Sequence, residues 1–244
     1  MTKRSIVSSS TLHILAMLCM LCDHLWATII PGNQWLTSVG RIAYPIFAFM
    51  VVEGYFHTSN LRKYATRLLV FAIISEIPFN LMYSNSLFYP LHQNVIWTLL
   101  IGLAMIHLNE SVRNKKIWVR GLVAIASIVI GGLLGIVLFT DYNSVGVWTI
   151  LVFYFFRGKK WWSLVGQLLC LYYLNVEILK GLYFEVEFLG MSFEVVQQGL
   201  ALVALIPIWV YDGSKGIRDK WFKYLCYWFY PVHMLVLWGI YRAM

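Results

Sequence analysis

The chain has 244 residues, of which 60% are hydrophobic, 17% are aromatic and only 12% are charged, and its mean hydropathy is +0.71. This composition excludes an ordinary soluble domain, whose surface must be covered by charged and polar side chains. The formal net charge of +8 lies in small basic groups between apolar segments, a pattern that is typical of membrane proteins and gives no support to nucleic-acid binding.

Apolar segments of roughly the length that crosses a bilayer as a helix follow one another with short polar breaks. They predict an all-α bundle of about nine transmembrane helices in the lipid bilayer, forming a single domain over residues 1–244. The predicted spans lie near residues 12–30, 38–57, 65–83, 93–109, 117–139, 145–157, 162–179, 194–211 and 221–241. The sixth is short, so it either crosses fully or lies as a partial or interfacial helix.

The distribution of Lys and Arg predicts the orientation of the bundle. With nine spans, all of the 19 Lys and Arg residues except Arg41, Lys180 and Arg242 fall on one side, which we assign to the cytoplasm together with the amino terminus. The carboxyl terminus is then outside. Residues 181–194 are expected on the outer face, as a loop or an amphipathic interfacial piece. The cytoplasmic groups are Lys3 and Arg4; Arg62, Lys63 and Arg67; Arg113, Lys115, Lys116 and Arg120; Arg157, Lys159 and Lys160; and Lys215, Arg218, Lys220 and Lys223.

The first span carries three ionisable residues, His13, Asp23 and His24. An ionisable group in hydrocarbon is costly unless it is paired or hydrated, so it is a functional candidate by default. His13 and His24 lie on one stripe of the helix, roughly 16 Å apart along its axis. His13 is as readily explained by a hydrogen bond to a neighbouring helix. Asp23 points about 100° away from His24, so it is expected to order an adjacent helix or a basic group and not to be the direct partner of His24.

The second span places Arg41 near its outer end and the pair Glu53 and His57, four residues apart, near its inner end. Arg41 is predicted to bind an anionic or carbonyl group at the depth of His24. Glu53 is interpreted either as part of a site or as a structural partner of His57 or Arg62. With Arg62, Lys63 and Arg67, these residues form a cluster at the predicted cytoplasmic mouth that suits a phosphate-rich donor. The alternative is an ordinary positive-inside flank, which is preferred for Lys63.

Further polar residues fall in the third, fourth and ninth spans. Predicted depths bring several of them together with Asp23, His24 and Arg41 in one polar cavity in the middle and outer half of the bundle. These additional candidates are Glu76, Asn80, Gln93, Asn94, Tyr230 and His233.

The sequence contains no serine-hydrolase elbow, zinc-protease motif, phosphate-binding glycine loop or nucleotide fingerprint. Cys19 and Cys22 form a C-x-x-C pattern, but within an apolar helix it is interpreted as packing, and no metal is expected. The remaining candidate is a histidine that can act as a base, with arginine and amide groups as hydrogen-bond donors. This set of residues is suited to acyl transfer.

Five stretches resemble the TraX family of membrane proteins, named for the factor that acetylates the amino terminus of conjugative pilin. They are MLCMLCDHLW (17–26), GRIAYPIFAFMVVEGYFHT (40–58), LRKYATRLLVFAIISEIPFNLMY (61–83), QNVIWTLLIGL (93–103) and FYPVHMLVL (229–237). The family is similar to a wider group of membrane acyltransferases that modify cell-surface glycans, whose first helix carries a basic residue, ten intervening residues and a histidine. His13 and His24 have this spacing, and His13 departs from the usual Arg or Lys.

The resemblance implies an acyl-CoA donor, acetyl-CoA above all, and transfer in the cytoplasmic membrane of a bacterium. It implies that His24 is the catalytic residue, assisted by Asp23 and Arg41. It leaves the acceptor open between a pilin-like peptide, a glycan and a small molecule, and the transfer open between an amine and a hydroxyl.

Two other functions use the same residues. A proton-coupled transporter also needs buried His, Asp, Glu and Arg, although the sequence shows no repeat symmetry of the kind found in many transporters. A membrane assembly subunit without chemistry would instead tolerate apolar replacements at every one of these positions.

Overall fold

A computed structural model describes residues 7–188, 191–217 and 219–244 of the protein. Three of the basic residues used to predict the orientation, Lys3, Arg4 and Arg218, lie outside the described residues.

Helices make up most of the described chain. The first part forms α1 (Ser9–Thr28), α2 (Gln34–Gly40), α3 (Ala43–His57), α4 (Leu61–Ser84) and α5 (Val95–Ser111). The middle part forms α6 (Ile117–Val137), α7 (Asn143–Phe155), α8 (Trp161–Tyr172) and a π-helical segment (Tyr173–Leu179). The last part forms strands β1 (Tyr183–Phe188) and β2 (Met191–Val196), a 3-10 helix (Gln197–Ala204), α9 (Leu205–Val210) and α10 (Lys220–Ala243). Each predicted span coincides with a helical segment, and α2 and α3 together form the second.

Several of these segments have the length and apolar composition of membrane spans. Among the described residues, five qualify: Ser9–Thr28, Gln34–His57, Leu61–Ser84, Ile117–Val137 and Trp161–Leu179. Shorter apolar helices cover Val95–Ser111, Asn143–Phe155 and Gln197–Val210. The chain is therefore a helical membrane protein, while the number of nine spans and the orientation of the termini stay predictions.

Residues 181–194, predicted as an outer loop or interfacial piece, instead contribute to an antiparallel hairpin of β1 and β2. Glu185 lies opposite Glu194 in its register, and Tyr183 lies opposite Val196. The reason is visible in the sequence, because Glu185 and Glu187 alternate with apolar residues in the period of two that is typical of a strand. The hairpin is a local departure from the expected all-α fold.

The chain divides into two compact units. The first comprises the described parts of Met1–Phe47 and Gly158–Cys226, and the second comprises Ala48–Arg157 and Tyr227–Met244. In the first unit α1 packs along α2, and in the second α5 packs against α4, α6 and α7. The core of the second unit includes Ile101, Met105, Val147 and Leu151. The interpretation of residues 1–244 as a single domain stays a prediction.

Candidate functional site

An ion pair between Asp23 of α1 and Arg41, the residue that follows α2, forms the centre of the polar cluster in the first unit. The Nη2 atom of Arg41 lies 2.6 Å from Oδ1 of Asp23, and the two side chains are 21% and 18% exposed. The Thr37 hydroxyl donates to the same Asp23 oxygen over 2.6 Å and accepts from Arg41 Nη2 over 2.6 Å. Asp23 thus contacts a basic group at the end of the adjacent helix, and not the ring of His24 as its direct partner, in line with the sequence prediction.

Gly40 explains how α1 and α2 come close enough for this contact. A Cβ atom at Gly40 would lie 2.4 Å from the Cβ atom of Asp23, a distance that real Cβ atoms do not adopt. A glycine at this position therefore lets the Asp23 side chain lie directly against α2, where Thr37 and Arg41 hold its carboxylate.

The cluster extends through buried amides that the sequence interpretation missed. Arg41 Nη1 contacts Oε1 of Gln198 at 3.4 Å, and Gln198 Nε2 donates to Oδ1 of Asn175 over 2.9 Å. Asn175 belongs to the π-helical segment, a rare geometry that often marks functional sites. Gln197 donates to the Ser38 hydroxyl over 3.0 Å. The sequence feature that could have identified these residues is the presence of amide side chains inside apolar segments.

His24 and His13 are both on α1, as predicted. His24 follows Asp23 directly and is buried, with 6% of its surface exposed. Its backbone carbonyl accepts a hydrogen bond from the Thr28 hydroxyl over 2.6 Å. His13 is half-buried, and its Nδ1 atom donates to the carbonyl of Ser9 over 2.8 Å. Because α1 is continuous from Ser9 to Thr28, the two rings keep the axial separation of about 16 Å that the spacing predicted.

Glu76 of α4 is the centre of a second polar cluster, in the second unit. Its Oε2 atom accepts from the Trp97 indole over 3.0 Å and also from the Asn94 amide. Asn94 is completely buried, donates to the carbonyl of Ala72 over 2.8 Å, and caps α5 by accepting from the backbone N–H of Ile96 over 3.1 Å. The sequence predicted that Glu76 and Asn94 lie at a similar depth in the membrane. It did not predict the hydrogen bond from Trp97.

Gln93, Tyr230 and His233, which were also predicted in the second unit, have local partners. Gln93 donates through its side chain to the carbonyl of Pro90 over 2.9 Å. Tyr230 is buried, and its hydroxyl lies against the backbone N–H of Val95. His233 is buried, donates from Nδ1 to the carbonyl of Phe229 over 2.6 Å and stacks on the ring of Phe229. Asn80 is also buried, with 2% of its surface exposed.

The predicted cytoplasmic-mouth cluster contains an ion pair that spacing did not predict. Arg157 Nε lies 2.9 Å from Oε1 of Glu53, and Arg157 also covers the ring of Phe56 at 4.1 Å. His57 is 3.6 Å from the other Glu53 oxygen. Glu53 is therefore paired with Arg157 and His57, whereas Arg62 is exposed and does not take part in the network.

Arg67 has a separate environment on α4. Its Nε atom donates to the Tyr227 hydroxyl over 3.2 Å, and its guanidinium lies about 6 Å from the ring centres of both Tyr64 and Tyr227. The aromatic contacts fix the position of a charge that the sequence placed at the mouth.

His92 and Asp141 form an ion pair between two loops of the second unit, and the sequence interpretation overlooked it. Their Nε2 and Oδ1 atoms are 3.6 Å apart. The loops are joined at the same level by two backbone hydrogen bonds of 2.9 Å, from Gln93 N to Phe139 O and from Asp141 N to Gln93 O. The carboxylate of Asp141 raises the pKa of His92 above its ordinary value of 6.5.

We expect this pair to make the stability of the protein pH-dependent. Because the folded-state pKa of His92 is raised, its contribution is fully present below about pH 6.5 and is lost as the pH rises through the folded-state pKa. Thermal unfolding in detergent between pH 6 and 9 measures this. Asp141→Asn should remove that part of the decline, because its neutral amide no longer favours the imidazolium. Identical pH profiles for the unaltered protein and Asp141→Asn would contradict the assignment.

The structure therefore brings Asp23 together with Arg41 in one unit, and Glu76 together with Asn94 in the other. The prediction that these clusters line one cavity stays a prediction. Within the described ranges, no three His, Cys, Asp or Glu side chains are grouped so that they could hold a metal ion.

Comparison with known proteins agrees with the sequence resemblance. The family model described as TraX protein matches residues 8–241. The chain is also 27% identical over 242 aligned positions to the probable fimbrial assembly protein FimC, serogroup H1, of Dichelobacter nodosus, and the match covers 94% of each chain. No solved structure matches. Because the family model covers nearly the whole sequence, the chain belongs to the TraX family.

Proposed function

We propose that the protein is a membrane-embedded acyltransferase that moves an acetyl group from cytosolic acetyl-CoA to an amine or hydroxyl of an acceptor. The observation that carries the proposal is the buried His24 next to Asp23, whose carboxylate and the Thr37 hydroxyl hold the Arg41 guanidinium in place. A buried base and a fixed guanidinium are two of the parts that acyl transfer requires.

In this mechanism the His24 imidazole removes the proton of the attacking amine or hydroxyl. The nucleophile attacks the thioester carbonyl, and Arg41 stabilises the negative charge that develops on the carbonyl oxygen. The carbon–sulfur bond then breaks, and the coenzyme A thiolate takes up the proton from the imidazolium. In a second version of the same chemistry, His24 itself carries the acetyl group between donor and acceptor.

The donor is proposed to approach from the end of the second unit that carries Glu53, His57, Arg62 and Arg67. Arginine guanidinium groups bind phosphate oxygens well. Arg157 now joins this group, because it stacks on Phe56 while its Nε atom contacts Glu53. Such a position suits the nucleotide part of coenzyme A. His13 of α1, in the first unit, keeps its predicted role in donor binding.

Family membership supports the proposed function, and the name of a relative favours one class of acceptor. The curated relative is named as a probable fimbrial assembly protein, which favours a pilin-like peptide over a glycan or a small molecule. The basic residues between the spans favour insertion in a bacterial cytoplasmic membrane with the amino terminus inside.

The test is binding and slow hydrolysis of acetyl-CoA by the purified protein in detergent. We expect saturable binding and release of free coenzyme A, detected with a thiol reagent. Acetyl-pantetheine, which lacks the nucleotide, serves as the control and should bind more weakly if the arginine-rich end recognises phosphate. A folded sample that neither binds nor hydrolyses acetyl-CoA would remove the donor from the proposal.

A proton-coupled transporter is the second candidate, and the observation that favours it is the Glu76 carboxyl within a membrane-spanning helix. It predicts uptake of a substrate into proteoliposomes driven by a pH gradient, without hydrolysis of acetyl-CoA.

A further inference from the structure

Three buried oxygen atoms on α4 have no hydrogen-bond partner among the described residues. They are Oγ of Ser75, Oε1 of Glu76 and Oδ1 of Asn80. Ser75 is completely buried and Asn80 is 2% exposed. Buried polar atoms are nearly always paired, because an unpaired one loses its hydrogen bonds to water and gains none in return. Three exceptions within two turns of one helix therefore need an explanation.

These atoms lie in a stretch of helix that is rich in oxygen acceptors. Glu76 and Asn80 are four residues apart and share a face, and Ser75 directly precedes Glu76. Pro78 lies inside the helix between them. Since proline has no N–H group, the carbonyl of Ile74 lacks its usual helical donor. Glu76 and Asn80 thus present a carboxylate and an amide oxygen on one face, and the Ser75 hydroxyl and the Ile74 carbonyl lie within two turns of them along the helix.

The orientation of Glu76 is fixed by its other oxygen. Trp97 and Asn94 both donate to Oε2, so the carboxylate is held from one side while Oε1 stays without a partner. Asn94 is in turn fixed by Ala72 and Ile96. A carboxylate held in this way is already oriented for binding, because the side chain loses little conformational freedom when a molecule or ion binds to Oε1.

Charge and donor type decide the class of ligand. All of the unpartnered atoms are oxygens, the donor type that hard cations prefer. Glu76 carries at most one negative charge, and His92, which is close enough to interact with it electrostatically, is already paired with Asp141. One positive charge balances the site, whereas a divalent cation would leave a buried excess of positive charge.

We propose that Ser75, Glu76 and Asn80 form a binding site for a small monovalent cation. The same chemistry is offered by an inorganic ion, Na⁺ or K⁺, and by the ammonium group of an organic ligand. The residues of this site and those that orient them belong to α4, to α5 and to Asn94, which caps α5. The cation-site proposal therefore does not require that the protein catalyses acyl transfer.

The experiment measures the thermal unfolding midpoint of the purified protein in detergent at constant ionic strength. The chlorides of Na⁺, K⁺ and methylammonium are titrated against choline chloride, whose quaternary cation is larger and has no N–H donor. Binding to the folded state raises the midpoint in proportion to the logarithm of the cation concentration once the site is saturated. A response to Na⁺ or K⁺ identifies an inorganic ion, and a response to methylammonium alone identifies an organic ammonium. No response to any of the three overturns the proposal.

Two variants and a matched control locate the response. Glu76→Gln should abolish it, while Glu110→Gln should keep it, because Glu110 is a half-buried carboxyl of α5 that accepts from the Tyr154 hydroxyl. Ser75→Ala removes an unpaired buried hydroxyl, so its midpoint in choline should equal or exceed that of the unaltered protein. The cation concentration for half of the effect should nevertheless rise several-fold. An unchanged cation response in Ser75→Ala overturns the proposal even if Glu76→Gln fails to fold.

Discussion

Replacement of His24 by alanine is expected to reduce acetyl transfer by at least about 100-fold, the lower end of the range for general-base catalysis. His24 is a buried imidazole in α1 and adjoins the carboxylate that holds Arg41. Without the imidazole, no group in the proposed mechanism removes the acceptor proton. The rate of coenzyme A release from acetyl-CoA by the purified protein measures this effect.

The control for this variant is another histidine. His107→Gln changes an exposed ring that contacts the Tyr55 hydroxyl at 3.2 Å and has no role in the proposed site. It should retain the full rate. Unfolding temperatures of both variants show whether any loss reflects misfolding, and His24→Gln, which keeps much of the side-chain volume, provides a folded alternative. Turnover within a few-fold of normal in His24→Ala or in folded His24→Gln would eliminate His24 as base or acyl carrier.

The same variant distinguishes the two forms of the mechanism. With radiolabelled acetyl-CoA and no acceptor, an acyl-enzyme leaves label on the unaltered protein after rapid quenching and none on His24→Ala. Direct transfer leaves no label on either protein, although coenzyme A release still depends on His24. Label that persists on His24→Ala would locate the acyl group on another residue.

The sequence predicted the helices well because hydrocarbon thickness sets the length of a span. Each predicted span overlaps a helical segment, and the limits of α1 and α4 differ from the prediction by only a few residues. The hairpin was missed because the period of two around Glu185 and Glu187 was interpreted as a connection. The π-helical segment with Asn175 had no sequence signal, since π-helical turns depend on local packing more than on residue type.

The site was predictable where a buried charge needs a partner of opposite charge. That argument left Asp23 open between an adjacent helix and a basic group, and in the structure it pairs with the basic group of Arg41. It failed for Glu53, whose main partner Arg157 is 104 residues away and was assigned to the basic flank. Trp97 was missed because its indole is mostly apolar and does not stand out in an apolar segment, although its N–H group is a hydrogen-bond donor. Long-range partners of this kind depend on how separate helices and loops pack, which spacing within one helix does not reveal.

Replacement of Arg41 by alanine is expected to lower both stability and transfer. The variant leaves the Asp23 carboxylate, which is only 18% exposed, with Thr37 as its remaining partner in the cluster. Because about a fifth of each side chain is exposed, removal of one partner is expected to cost up to about 3 kcal/mol, the lower end of the range for fully buried pairs. Denaturant or thermal unfolding in detergent measures the loss. Arg41→Lys keeps the charge but not the planar fork of donors, so it should be more stable than Arg41→Ala and still transfer slowly.

A double variant separates the structural role of this pair from its chemical role. Asp23→Asn combined with Arg41→Gln removes both charges together, so neither is left desolvated alone, and most of the stability lost in Arg41→Ala should return. Transfer should not return, because a neutral amide stabilises a developing oxyanion less well than a guanidinium does. Recovery of stability without transfer assigns Arg41 to the reaction. Recovery of both stability and transfer would mean that the pair only joins α1 to α2. The electrostatic role would then belong to a different hydrogen-bond donor of the first unit. Gln198 would be tested next, because it already contacts Arg41.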